Sequence, residues 1–447
     1  MNASLIQRYA VPVPRYTSYP TANHFGAAVG ADDYRAWLQA LAPGSSLSLY
    51  LHIPYCRELC HYCGCNTKAT HKYRPVADYL TALEAEIGTV SGLVPASHSV
   101  AHIHWGGGSP NILEASDILQ LGDSLASQFT ISPNAKFAVE IDARELHPEQ
   151  VVAFAQIGVN RVSLGVQDFN ETVQRAIGRM QSYETTRQAV EYFRDAGIRS
   201  INIDLVYGLP HQTEDSVART IEQVLSLDPD RVAIFGYAHL PQRLKHQRLI
   251  DNATLPGAME RLKQSQRVAA MLKQAGFVAL GLDHFARRTD DLSSKPLTRN
   301  FQGYTTEIAS ALIGLGASAI SRLPQGFAQN EVAVDSYSRR LVLSGLATAR
   351  GSILTPEDRV RAHVIERLMC DFTLSESELK TRFGPDAEEV VAAARGIVAD
   401  DADGLVEATD DGFRMTERGR PFVRNICARF DAYLPQAVEQ RRHALAV

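Results

Sequence analysis

From residue 46 the chain repeats one pattern, a short apolar run followed by an amphipathic helical stretch. SLSLYLHIP precedes a helix around DYLTALEAEIG, VAHIHW precedes ASDILQLGDSLASQF, and KFAVEID precedes PEQVVAFAQIG. NRVSLGV leads to helices near 170–196, RSINIDLVYG to EDSVARTIEQVLSL, and RVAIFGYAHL to a long helical region at 257–275; FVALGLDHF closes the series. Brief apolar or β-branched runs of this kind fit parallel strands buried on both faces. Each helix between them is long enough for a right-handed crossover. Six such units predict an α/β fold, a complete or partial (β/α) barrel. In such folds reactive groups belong in the loops beyond the C-terminal strand ends.

The flanks break the pattern. From about 346, TPEDRVRAHVIERLMCDF, SESELKTRF and DAEEVVAAARGIVADD read as helices, with Thr355 and Ser375 or Ser377 as N-caps. GLVEATDDGFRMTERG alternates like a hairpin around Asp411-Gly412, and a last helix starts at about 418. In the first 35 residues the prolines of PVPRYTSYPT interrupt any regular helix. The expected organisation is an extended arm (1–35) laid over the larger domain, a barrel (36–345) and a mainly helical C-terminal domain (346–447) that closes it. A wing-like hairpin can mark nucleic-acid binding, but a formal net charge of −5 leaves no basic excess for phosphates. The N-terminus has no apolar signal core, and the longest nearly apolar run, ASALIGLGASAI (309–320), is too short for a bilayer. A cytoplasmic protein without membrane insertion is expected.

In a reducing compartment, clustered cysteines are more often metal ligands or redox groups than disulfides. Cys56, Cys60, Cys63 and Cys65 fall in PYCRELCHYCGCN, just after the first strand. Zinc, perhaps with His61, is one reading, although no second ligand segment accompanies the four thiols. A dithiol redox centre is another, although no CxxC opens a helix of a thioredoxin-like unit. An iron–sulfur cluster is the third: three close thiolates are soft ligands that leave one iron open. Cys370 and Cys427 read as buried packing thiols. WGGGSP (105–110) follows the second strand, and its glycines let backbone approach a ligand closely. His102 and His104 alternate on one strand face and read as core or strand-end histidines ahead of a metal pair.

CxxxCxxC after the first strand of a (β/α) barrel resembles the signature of the radical S-adenosylmethionine (SAM) enzymes, and WGGGSP resembles their GGE-type motif. RYTSYPTA, CGCN, VSLGVQDFN, NIDLVYGLP, YAHLP, LDHFA and RNFQGYTT narrow the resemblance to the oxygen-independent coproporphyrinogen III oxidase family, along essentially the whole chain. The resemblance implies a partial (β/α)6-type barrel and a [4Fe–4S] cluster on Cys56, Cys60 and Cys63. SAM would occupy the open iron, with a second SAM nearby. It implies coproporphyrinogen III as substrate, two propionates of which become vinyl groups, and a reducing electron donor such as flavodoxin or ferredoxin; the chain is expected to be a monomer. Tyr50, Gly107, Glu140 and Ile320 match positions around the first SAM. Tyr62, Gly108, Ser109, Gln167, Arg179, Asp204 and Ala238 match positions around the second. Ser109 stands where threonine is common, and TTEIASAL is less acidic than in relatives. Cys65 is diagnostic of the family and a possible accessory residue; a heme carrier that kept the fold is the rival. Arg15 and Lys68 are among the candidates for the substrate carboxylates.

Overall fold

The structure is a computed structural model and describes residues 3–434. Six strands form where the pattern predicts them. β1 (Ser46–Ile53), β2 (Ser99–Gly107), β3 (Ile131–Ile141), β4 (Arg161–Gln167), β5 (Ser200–Tyr207) and β6 (Arg231–Gly236) lie side by side and parallel. Helices between them, such as Arg74–Ser91 and Glu214–Ser226, cover one face of the sheet. On that face Leu47, Leu49, Leu51 and Ile53 of β1 are wholly buried with Leu83, Ile87 and Val90. Each such burial contributes about 1.5–3 kcal/mol.

The other face differs from expectation. Val162, Leu164 and Val166 are buried, but Ser163, Gly165 and Gln167 between them keep partial access; Asn202 and Asp204 do the same on β5. Strands buried on both faces would be apolar at every position, whereas these alternate with period two. The inner face is a polar recess.

The series also ends differently. FVALGLDHF folds back at Gly281 into β7 (Phe277–Leu280) and β8 (His284–Arg287), and β8 runs antiparallel to β6. On the far side of β1, β9 (Ala311–Leu315) pairs parallel with it, and β10 (Ile320–Leu323), β11 (Gly326–Asn330) and β12 (Thr348–Ile353) follow antiparallel. The order is β12-β11-β10-β9-β1-β2-β3-β4-β5-β6-β8-β7, with β12 and β7 as separate edges, so the barrel is partial. ASALIGLGASAI thus supplies β9. Because β12 belongs to this sheet, the change of architecture falls after 353 and not at 346.

A second core joins the arm to the C-terminal region. Leu5, Ile6, Val13, Tyr16 and Tyr19 are buried among Val364, Leu368, Phe422 and their neighbours. The arm opens on a helix, Ala3–Tyr9, that stops ahead of Pro12 and Pro14. Its apolar side chains enter this core instead of lying only over the barrel, because that is where buried apolar partners stand. Residues 31–35 already belong to the helix Ala31–Gln39, whose Tyr34 and Leu38 join the barrel core. Thr355 caps the helix Pro356–Asp371 and Ser375 caps Glu376–Phe383. The hairpin forms from Val406–Thr409 and Gly412–Met415, with Thr373–Ser375 as a third strand. The last helix among the described residues is short, Val423–Ala428, after a 3-10 turn at Arg420–Phe422; residues 1–2 and 435–447 of the expected arm and C-terminal domain lie outside the described residues. Among the described residues no helix is long and apolar enough to cross a membrane.

Candidate active site

The cysteine loop leaves β1 and is clamped at its base. Tyr55–Cys56 pairs with Lys68–Ala69, and Lys68 N donates to Pro54 O at 2.9 Å. Exposed Lys68 serves here through its backbone. The tip is pinned from two sides. His61 N donates to Ile177 O at 2.8 Å, and Gly178, at φ +63°, makes room for the His61 ring. Gln247 Nε2 donates to Tyr62 O at 3.0 Å, and His246 Nε2 lies 2.7 Å from Cys63 O. The Tyr62 ring packs on Val173, Ile177, Val206 and Leu209.

Each predicted ligand has polar company. Cys56 Sγ lies 3.3 Å from Thr67 Oγ1 and accepts from Ser109 Oγ at 3.5 Å. Cys60, buried, faces Arg179 Nη1 at 3.6 Å and Arg144 Nη2 at 3.8 Å. Cys63 Sγ accepts from Cys65 N at 3.4 Å. The Cys65 neighbour, with His246 and Arg179, lowers the Cys63 thiol to about 6 and is itself held high by Cys63. Burial pushes Cys56 up. All the cysteines are free thiols. The two guanidiniums converge on Asp142. Arg179 donates to both its oxygens at 3.1 Å, and Arg144 donates through Nη2 at 2.7 Å and Nε at 3.0 Å. Burial opposes the Asp142 charge, but the two arginines outweigh it and hold the carboxyl at about 2.

The glycine turn ends β2 beside β1, with His52 opposite Gly106 and Ile53 opposite Gly107. A Cβ at Gly106 would sit 2.6 Å from the Glu140 carboxyl carbon, at Gly107 2.3 Å from the His52 ring, and at Gly108 2.4 Å from Tyr55 O. Gly107 also has φ +104°. Any side chain at these positions would collide with those neighbours. Glu140 accepts from Gly107 N at 3.1 Å and lies 2.9 Å from His104 Nε2. Burial works against its charge, yet these contacts keep its pKa below the ordinary value. Tyr50 Oη is 3.0 Å from His52 Nδ1, and its ring lies beside His104. Tyr50 pairs with Gly314, which abuts the Ile320 backbone, so Tyr50, Gly107, Glu140 and Ile320 form one group.

The second group is looser. Gln167, at φ +70°, marks a bulge after Gly165, whose carbonyl accepts from Arg179 Nη2 at 2.6 Å. Asp204 accepts from Ser163 Oγ at 2.5 Å and Asn202 Nδ2 at 2.8 Å, and burial raises its pKa. Ala238 O accepts from Gln247, the side chain that also holds Tyr62. The strand histidines each meet a carboxylate, a pairing the sequence did not show: His104 with Glu140, and His102 with Glu307 at 3.6 Å. Asp142 and Arg144 were also missed. Asp142 lies two residues beyond Glu140, just past the end of β3 in extended backbone, and that spacing was the available signal. Gln247 and His246 carry none.

Parallel partial barrel, thiol loop after its first strand and glycine cradle after its second define a radical SAM protein. The Radical SAM superfamily model matches residues 50–224, and the HemN C-terminal domain model matches 354–422. The chain is 45% identical over 439 residues to an oxygen-independent coproporphyrinogen III oxidase of Bradyrhizobium diazoefficiens (97% of this chain, 98% of the relative). It is 42% identical to one of Paracoccus denitrificans, covering 94% of each. A solved structure of coproporphyrinogen III oxidase from Escherichia coli, described as a radical SAM enzyme, aligns with TM-score 0.90 and 39% identity over 97% of this chain and 99% of that one. The chain belongs to the oxygen-independent coproporphyrinogen III oxidase family.

Proposed function

We propose that this chain decarboxylates two propionate side chains of coproporphyrinogen III to vinyl groups without oxygen, giving protoporphyrinogen IX in heme biosynthesis. The observation that carries this is full-length likeness to named oxidases combined with an intact thiol loop and glycine cradle. Cys56, Cys60 and Cys63 would hold the [4Fe–4S] cluster, which fits three soft donors on one clamped loop. Cluster and SAM, when bound, supply the one-electron chemistry that generates a hydrogen-abstracting radical.

The protein's own residues prepare that site. Arg144 and Arg179 place hydrogen-bond donors beside Cys60 Sγ, and Asp142 pairs with both guanidiniums. The glycine cradle, Tyr50, Glu140 and Ile320 would receive the first SAM, Glu140 accepting hydrogen bonds from ribose hydroxyls. Tyr62, Gly108, Ser109, Gln167, Arg179, Asp204 and Ala238 would receive a second. Arg179 Nε is buried without a partner and is the donor left for that molecule's carboxylate. Cys65, exposed at the loop's end, would act from the recess as an accessory group. The reading extends to an arm, a barrel and a C-terminal cap as three parts of one cytoplasmic monomer, reduced by a flavodoxin- or ferredoxin-type donor.

The test is anaerobic incubation of reconstituted, reduced protein with SAM and coproporphyrinogen III, quantifying protoporphyrinogen and 5′-deoxyadenosine. Product that disappears in Cys60→Ser supports the decarboxylase. SAM cleavage without vinyl formation redirects the search to another substrate. No cleavage in a cluster-loaded preparation that binds heme stably supports a carrier.

A further inference from the structure

Four arginines from four separate segments meet at the C-terminal end of β6. Arg15 of the arm donates through Nη2 to Gly236 O at 2.6 Å. Arg261, from the helix Ala258–Gln274, donates through Nη2 to the next carbonyl, Tyr237 O, at 3.0 Å. A Cβ at Gly208 would sit 2.6 Å from Arg261 Nη1 and one at Gly236 3.2 Å from its Nη2, so the guanidinium packs against the ends of β5 and β6. Asp283 is fixed beside Ile234, whose N donates to its carbonyl at 2.8 Å, and Arg299 Nη1 stands 4.0 Å from its carboxylate. Arg424 Nη1 reaches Val13 O at 3.5 Å, two residues before Arg15.

Among the described residues, the carboxylate that faces Arg299 and acts on Arg15 is Asp283, and it is already engaged by His284 Nδ1 at 2.7 Å. Arg299 Nε and Nη1, and Arg261 Nε, are buried without hydrogen-bond partners. Burial and mutual repulsion lower the pKa of Arg15, Arg261 and Arg424, that of Arg424 to about 10. Arg15 keeps solvent access. The recess at this end is the one already described. Asp204 stands opposite Ala233, and Ala233 opposite His284, the neighbour of Asp283, so the polar face of β5 leads across β6 to the arginines.

Resting on the function proposed above, we propose that Arg15, Arg261 and Arg299 form the receptor for the propionate carboxylates that the substrate retains. A guanidinium fork matches a carboxylate bidentately, and unmet donors in a positive recess call for an anion from outside. The propionates that react belong elsewhere, at the thiol end. Pairing a departing carboxylate with arginine would stabilise the ground state and oppose loss of carbon dioxide.

The test measures binding of coproporphyrin III, the stable oxidised form, to the full, cluster-loaded chain by fluorescence. Arg15→Gln and Arg299→Gln are each expected to weaken binding at least tenfold and to raise KM for coproporphyrinogen III more than they lower kcat. Cluster absorbance and thermal melting report intact folding. Because Arg299 is buried, a second measurement uses wild type alone: the tetramethyl ester of coproporphyrin III should bind at least tenfold more weakly than the acid. Equal affinity of wild type and Arg15→Gln for the acid, or of wild type for acid and ester, overturns the receptor. Arginine-dependent binding in a protein that does not convert coproporphyrinogen III leaves the receptor standing and removes the proposed reaction.

Discussion

Two sets of arginines face the same recess under opposite conditions. At the thiol end, Arg144 and Arg179 share Asp142 through hydrogen bonds of 2.7–3.1 Å. At the far end, Arg15, Arg261 and Arg299 stand near Asp283, which Arg299 approaches at 4.0 Å and His284 occupies. A buried guanidinium with its own carboxylate is a framework element. A set that no described side chain answers with a closely bonded carboxylate is what the proposed receptor requires. The charges are alike, and the difference lies in what answers them.

The largest effect should come from breaking the framework pair. Asp142→Asn leaves two buried guanidiniums without their anion, and urea unfolding should show a loss of about 3–5 kcal/mol. The pH dependence gives the same result another way. The Asp142 pKa is depressed in the fold, so its contribution is complete above the ordinary carboxylate range and fades as pH falls toward about 2. Wild type should therefore lose its advantage over Asp142→Asn on acidification. A constant difference across that range would mean that Asp142 acts through shape alone.

A smaller effect is expected at the cradle. Gly108→Ala drives a Cβ to 2.4 Å from Tyr55 O, a backbone atom with little freedom to retreat, and should cost about 1–3 kcal/mol in thermal or urea melts. This wall was legible in the sequence, because its chemistry sits in contiguous runs: CRELCHYC supplies the three thiols and WGGGSP the turn. The six parallel strands were legible for the same reason, through local periodicity. The arginine end was not. Residues 15, 261, 299 and 424 are brought together only by the arm crossing to the second core and by the fold-back at Gly281, and neither leaves a local pattern. Alternation in RVSLGVQ did announce the polar inner face, but the surrounding apolar residues masked it.

Glu86 sharpens the comparison with a third case, a buried charge answered by neutral donors. It is fully buried and accepts from Gly316 N, Asn330 Nδ2 and Tyr337 Oη, each at 2.6 Å. Burial outweighs these bonds and raises its pKa from 4.5 to about 6. A raised carboxyl contributes stability that is full below its unfolded pKa and lost as pH rises through the folded one. Wild-type stability should fall by about 2 kcal/mol between pH 4.5 and 6.5 from this group, and Glu86→Gln should flatten that slope. Neutral hydrogen bonds thus hold a buried charge less well than the ion pairs at Asp142, where the shift runs the other way.

The smallest stability change is the most discriminating. If the far arginines were glue between arm, barrel and C-terminal domain, Arg15→Gln should destabilise the free protein, since it removes the bond to Gly236 O. If they are a receptor, losing one positive charge relieves repulsion from Arg299 and offsets that bond. Unfolding of the ligand-free variant should then lie within about 1 kcal/mol of wild type. The two proteins should part only when coproporphyrin III is added. Saturating ligand stabilises each in proportion to the logarithm of its affinity, so a tenfold weaker site opens a gap of about 1.4 kcal/mol. A gap present without ligand and unchanged by it would return Arg15 to the framework class with Arg144 and Arg179.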